Sequence, residues 1–330
     1  MRTRGPAAWL LLVLLVAACG SGGPEEGTGA VLRYAYEPGD SLAYDLEASM
    51  DMDMTASGNA AAAAGMDASL VMSVTGRLDL RFAVGPSPDT VEITVAQELL
   101  EGGARMTTLG GETLIPLSDL ADQMEQEVVV VVDPQGRPVS MSVNGTALSA
   151  QMLGVLSGFG GGETLTPQQF GPEFPITGLY VGAEWETDNS GEVLGLAFRQ
   201  HGRHKVVAEE QVLGRTAYRI DSRLTTAELR TDLTALMAAL RATPELLGGA
   251  DPAEFDAAIA QFESMGVAVD VLMEEYTVTM TTWFDPAQGI VLRSVTETPM
   301  AMTMVMRGFP GGEVEVLMET TTEQRLTLAA

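Results

Sequence analysis

The side chains with the most chemical potential in this sequence are thioethers. The 330-residue chain holds 19 methionines and one cysteine. Met50, Met52 and Met54 form one run, and Met300, Met302, Met304 and Met306 form another; Met72 stands in a separate apolar alternation. Spacing by two places each run on one face of an extended strand. Three uses suit such runs. Methionine fills irregular cores, lines adaptable apolar ligand sites, or ligates Cu(I) through sulfur. Same-face neighbours on one strand lie roughly 6.6 Å apart, so a copper site needs sulfurs from a second strand or a bend. The one basic cluster, Arg199-Gln200-His201-Gly202-Arg203-His204-Lys205, holds both histidines. Such a cluster can grip a phosphate or a lipid headgroup, but the expectation is a charged hairpin tip. Two histidines three apart lack a third metal ligand.

Chemistry beyond this finds little support. No G-x-S-x-G elbow or S-x-x-K pair occurs, and no H-E-x-x-H, P-loop or dinucleotide fingerprint. Carboxylates are abundant, but they alternate with apolar residues, which places most of them on a wet face. The expectation is a protein that is not an enzyme, with no cofactor and no metal site. The formal charge is −27, and removal of Arg2 and Arg4 with a leader makes it more negative. Nucleic-acid binding needs clustered positive charge, so no nucleic-acid partner is expected. Adhesion of the body to anionic lipid is disfavoured for the same reason. Apolar residues make up 46 % of the chain, which excludes a disordered acidic tail.

The first residues give the cysteine its role. Arg2 and Arg4 precede an apolar run from Ala7 to Ala18. A membrane-spanning helix wants about 20 apolar residues, so this run has the length of a secretory h-region instead. It ends Val16-Ala17-Ala18-Cys19, which resembles the lipobox of bacterial lipoprotein precursors; valine at Val16 departs from the commoner leucine. The resemblance implies cleavage before Cys19 and a lipid on its sulfur, a membrane anchor. It also explains a lone thiol in an exported chain. Several acyl chains hold a protein where one binds only marginally. Gly20 rather than aspartate after Cys19 favours the outer membrane if the host envelope is Gram-negative. The expected organisation is a signal peptide over 1–18, lipidated Cys19 and a Gly-rich tether over 19–29, and a β-rich domain over 30–330. The last could divide into halves, 30–157 and 179–330.

The elements that position the methionines are strands. Even positions from Leu42 to Ala56 are apolar, while Asp45, Glu47, Asp51 and Asp53 occupy odd ones. Residues 68–84, 91–95 and 314–319 alternate likewise, which marks strands with one buried face. One wet face implies antiparallel pairing. Strands this much longer than the usual five or six residues must coil. The fold class is therefore mainly β, a large curved antiparallel sheet or open half-barrel. Turns are expected at Pro38-Gly39-Asp40, 85–89, 133–136 and Asp285-Pro286-Ala287-Gln288-Gly289. A hairpin tip is expected at 57–65, and a meander over 193–225 broken near His201-Gly202 and Gly214. A few covering helices complete the picture. One starts at the capping box Thr225-x-x-Glu228, a second at Asp251-Pro252, and short pieces fall near 118–126 and 147–156.

Four further stretches carry a resemblance. Tyr36-x-Pro-Gly-Asp40-x-x-x-Tyr44, Val181-Gly182-x-x-Trp185, Gly214-Arg215-x-Ala-Tyr218-Arg219-Ile220 and Trp283-Phe284-Asp285-Pro286-x-x-Gly289-x-x-x-Arg293 resemble a family of uncharacterised bacterial lipoproteins. More loosely, long strands on a lipid anchor are similar to the lipoprotein carriers LolA and LolB and the mycobacterial LppX type. That likeness implies an apolar cavity and brings no catalytic residue. The expected function is a membrane-anchored lipoprotein whose domain binds a lipid or other apolar ligand, its cavity lined by Met50, Met52, Met54, Met72, Met300, Met302, Met304 and Met306. The alternatives are a structural or interaction lipoprotein with a closed core, and Met-based Cu(I) binding.

Overall fold

The computed structural model describes residues 31–58, 67–87, 89–116, 118, 128–133, 138–143, 146–148, 171–175, 177–193, 196–232, 268–308 and 312–329. The leader, Cys19 and the tether lie outside the described residues. So do the helix expected from Asp251, nearly all of the piece at 118–126, most of that at 147–156, and the tips at 59–66 and 134–137.

The described chain is strand after strand. In order these are β1 (Ser41–Ser57), β2 (Ala68–Val84), β3 (Val91–Thr108), β4 (Gly111–Pro116), β5 (Val128–Val132), β6 (Pro138–Val143), β7 (Thr146–Leu148) and β8 (Glu184–Val193). Then come β9 (Leu196–Val212), β10 (Arg215–Thr226), β11 (Leu229–Asp232), β12 (Ala268–Met273), β13 (Tyr276–Asp285), β14 (Ile290–Arg307) and β15 (Val314–Leu328). They form one 15-stranded sheet in the order β7-β6-β5-β3-β2-β1-β15-β14-β13-β10-β9-β8. It is open and antiparallel. The last of these strands pairs with the first over Tyr44–Ser57, so β1 and β15 meet mid-sheet. Two long strands have a split outer edge. β3 pairs with β5 at Val91–Val95 and with β4 at Gly103–Thr108. β14 pairs with β13 at Ile290–Glu297 and with β12 at Met302–Arg307. Strands of 17 or 18 residues reach roughly 55–60 Å at ordinary strand rise.

Bulges accommodate that length. Register shifts fall at Thr75/Gly76, Arg219/Ile220 and Trp283/Phe284, where the extra residue bends the strand and raises its twist. Each also flips side-chain parity. In β3 the apolar face is carried by Val91, Ile93 and Val95 before Leu100 and by Ala104 and Met106 after it.

Several expectations are corrected. Thr225-x-x-Glu228 does not cap a helix. Thr225 and Thr226 end β10, hydrogen-bonded to β9 and β13, and Leu229–Asp232 pairs with β12. Two flanking strands satisfy the backbone there, which outweighs a local capping preference. Ala147 and Leu148 are strand, not helix. His201-Gly202 is no break, and the basic cluster is no hairpin tip, because β9 runs unbroken through both. Gly202 makes room instead: a Cβ there would meet Thr187 Oγ1 at 2.2 Å and His204 Nε2 at 2.9 Å. The described residues around 85–90 close a turn through the Gly85 amide on the Thr90 carbonyl, and the turns at 38–40, 213–214 and 285–289 form as expected. In the last, Asp285 Oδ1 accepts from the Ala287 and Gln288 amides at 2.9 and 3.1 Å. Gly289 (φ +66°) closes against the N-terminal segment, where the Ala35 amide donates to its carbonyl at 3.1 Å.

One end of the sheet's apolar face is sealed. Tyr44, Leu46, Leu78, Phe82, Ile93, Val95, Val130 and Leu326 pack together, and Leu32, Phe174, Trp185, Ile220, Phe284 and Val291 extend that core. Residues 31–37 lie across it as an aromatic strap. Tyr36 stacks on Phe82 at 4.4 Å, and Tyr34 meets Phe174 at 5.0 Å and Phe284 edge-on at 5.5 Å. Two phenols here are paired: Tyr44 donates to the Val291 carbonyl at 2.8 Å and Tyr34 to that of Pro172 at 3.0 Å. Burial pushes both phenols well above the ordinary tyrosine range.

Candidate functional site

Register decides what the methionines do together. Every one of the eight sequence-expected positions falls on the same face, that of the aromatic core, toward the opposite end. Met50 lies opposite Met72, and Met52 opposite Leu70. β15 separates β1 from β14 and bridges the two runs. Met54 faces Met318, Met318 faces Met302, and Met302 faces Met273. Four adjacent strands thus carry a transverse row of four methionines, with opposed Cβ atoms about 4.5–5.5 Å apart. Met72 is buried; Met50, Met52, Met54, Met300, Met302, Met304 and Met306 are half-buried. Met318, Met273 and Leu70 also belong to this face; the sequence placed Leu70 and Met318 in apolar alternations but not in the expected cavity lining, and Met273 in neither. Met318 had a signal, the alternation with Val314 and Val316. Met273 had none, because only its pairing with β14 sets its parity.

The charge separation between the two faces is nearly complete across nine strands. On the apolar face of β1, β2, β3, β9, β10, β12, β13, β14 and β15, the described residues include no Lys or Arg, and the face's one carboxylate is exposed Glu209, which the β9 bulge turns toward Tyr218. Its one titratable imidazole, His204, is 4 % exposed. Its Nδ1 lies 2.8 Å from Ser222 Oγ and its Nε2 3.0 Å from Thr187 Oγ1, and it stacks on Trp185 at 5.0 Å. Burial, then the neighbouring His201, pulls its pKa down to about 4, so it is neutral at physiological pH.

The other face holds the charges. His201 points there, 2.8 Å from Asp188. Residues three apart in one strand face opposite ways, so His201 and His204 cannot share a metal. No group of three or more potential His, Cys, Asp or Glu ligands occurs among the described residues. Arg203 and Lys205 line a cavity of about 640 Å³ with Glu184, Glu186, Asp221 and Arg223. Lys205 pairs with Glu184 at 2.6 Å and Arg203 with Glu186 at 3.3 Å. As many carboxylates as cations line this cavity, and two of the three cations are already paired. It is a charge-balanced groove, not a phosphate cradle.

No family model matches the chain, and no curated protein matches it. Several solved structures overlap with it. A structure concerned with lipid–protein interactions in lipovitellin is similar over 90 % of this chain, at 9 % identity and a TM-score of 0.39. The chain spans 26 % of that protein's length. An outer membrane channel from Pseudomonas putida F1 overlaps over 89 % of this chain and 97 % of its own, at 9 % identity and a TM-score of 0.20. Among the described residues no helix is long and apolar enough to cross a membrane, which says nothing of strands.

Proposed function

We propose that this chain is a bacterial lipoprotein, anchored through a lipid on Cys19, whose β-rich domain binds a lipid or other apolar ligand without performing chemistry. The observation that carries this reading is the apolar face itself, which bears no Lys or Arg among the described strands. It continues from a sealed aromatic core into a half-buried surface of methionine, leucine and valine. Thioethers on flexible stems adapt to a guest of variable shape. The leader and Gly20 support export and, in a Gram-negative envelope, residence at the outer membrane.

Two measurements test it. Metabolic labelling with a fatty acid should tag the protein and be lost with Cys19→Ala. The mature chain from Gly20, exported behind a leader without the lipidated cysteine, should carry co-purifying lipid in native mass spectrometry. A protein free of lipid that also fails to take up a fluorescent fatty acid would leave only a structural role with a closed core.

The Met54–Met318–Met302–Met273 row favours one second reading, Cu(I) binding by thioethers from several strands. Leucine at Met302 and Met318 should then lower Cu(I) affinity against a chromogenic chelator; unchanged affinity excludes it.

A further inference from the structure

The apolar face is not uniform. Between the aromatic core and the methionines runs a band of uncharged polar side chains. On β14 the same-face residues read Ser294, Thr296 and Thr298 before Met300. On β15 they read Gln324, Thr322 and Thr320 before Met318. Register joins them: Thr296 lies opposite Gln324, Thr298 opposite Thr322, and Ser294 opposite Thr282 of β13. Thr282 and Ser294 are almost wholly buried, at 0 % and 2 % exposed, and neither hydroxyl has a protein hydrogen-bond partner. Buried hydroxyls are nearly always paired, and leaving one unpaired costs about 1–3 kcal/mol. These two groups face each other, and from Ser294 the band continues into half-buried Thr296 and Thr298, which points to a polar guest.

We propose that this band holds the polar end of the apolar ligand, and that the ligand is an electrically neutral amphiphile of the acylglycerol class, bearing hydroxyl and ester oxygens. The inference rests on the lipid-binding reading above and specifies its ligand. Hydroxyl and ester oxygens match Ser, Thr and Gln as donors and acceptors. A free carboxylate or phosphate does not match them. The nine strands of this face offer no Lys or Arg, and the one imidazole is neutral. An anion placed there loses its water with no cation to replace it. The acyl chain then lies along Met300, Met302 and Met318, the next same-face residues on β14 and β15.

The test compares ligands that share one tail. The mature chain from Gly20 is titrated at neutral pH with monooleoylglycerol and with oleate, each displacing a fluorescent apolar probe. Monooleoylglycerol should bind at least about tenfold more tightly, the scale of one or two buried hydrogen bonds. Thr282→Val with Ser294→Ala should remove most of that preference while the probe's own affinity stays unchanged. Thr298→Val with Thr322→Val, at half-buried positions where folding is tolerant, should reduce the preference in the same direction. Oleate binding as tightly as monooleoylglycerol, or a preference untouched by both variants, overturns the neutral-headgroup assignment and leaves lipid binding standing. Failure of the probe and both lipids to bind overturns the lipid-binding reading and this assignment with it.

Discussion

One face of one sheet ends in two different ways. At the aromatic end, Tyr34, Tyr36, Phe82, Phe174 and Phe284 lock against each other, and a strap of backbone crosses them. Rings have two side-chain torsions and preferred contact geometries, so this end specifies a single packing. At the methionine end the same alternation of strands continues, yet of the methionines there only Met72 and Met273 become fully buried. Methionine has three rotatable bonds and shallow preferences, so this end leaves the packing open. The difference teaches that specific packing and adaptable packing are placed at opposite ends of one continuous hydrogen-bonded lattice.

Mutation should expose that division most sharply at the sealed end. Phe284→Ala removes a ring that is 0 % exposed and should cost about 3–5 kcal/mol in urea unfolding. A loss under about 1 kcal/mol would mean that the aromatic end does not hold the fold.

Acid should act on this side next. His204 titrates near 4 when folded and near 6.5 when unfolded. The unfolded chain therefore binds the extra proton first as pH falls. Stability is full above pH about 6.5 and declines toward pH about 4, by on the order of 3 kcal/mol. His204→Phe should flatten that slope. Hydrogen exchange should show Val206 and Ile220 losing protection before Met54 and Met318; the reverse order would break the comparison.

Gly289→Ala comes third. The position has φ +66°, and a Cβ there would meet the Ala35 amide nitrogen at 2.5 Å. The strap must shift, at about 1–2 kcal/mol of stability, and Tyr34 and Tyr36 should become more accessible to quencher. At the open end Met302→Ala should cost only about 1 kcal/mol, because a half-buried side chain yields half the transfer energy. Met318→Leu, which conserves volume, should change unfolding by a few tenths of a kcal/mol while reshaping ligand preference. Equal losses for Phe284→Ala and Met302→Ala would show one uniform core rather than two ends.

Much of this was readable along the chain and some was not. The alternation in 42–56, 68–84 and 314–319 yields β1, β2 and β15 because each strand has one wet face. β3 was read only to Val95, because the extra residue at Leu100 reverses the parity and hides Ala104 and Met106. Thr225-x-x-Glu228 reads as a helix start only while its strand partners in β9, β12 and β13 are ignored. The histidine cluster looked like one basic patch, yet pleating sends His201 to the carboxylates and His204 into the core. The band of Thr282, Ser294, Thr298 and Thr322 had no sequence signal at all, since threonine and serine are as common on wet faces as on buried ones.

What the sequence by itself determined is the segregation of charge. A period of two, repeated over long strands, commits acidic residues to one face and apolar ones to the other wherever a sheet forms. Tertiary structure alone decided which of those residues meet. Met54 and Met302 are separated by most of the chain, and they share a row because β15 returns from the C-terminus to pair with β1. Thr282 faces Ser294 through one bulge-adjusted register. Backbone hydrogen bonds accept any side chain, so register comes from the summed burial of whole strands, a property no single residue's neighbourhood in sequence contains.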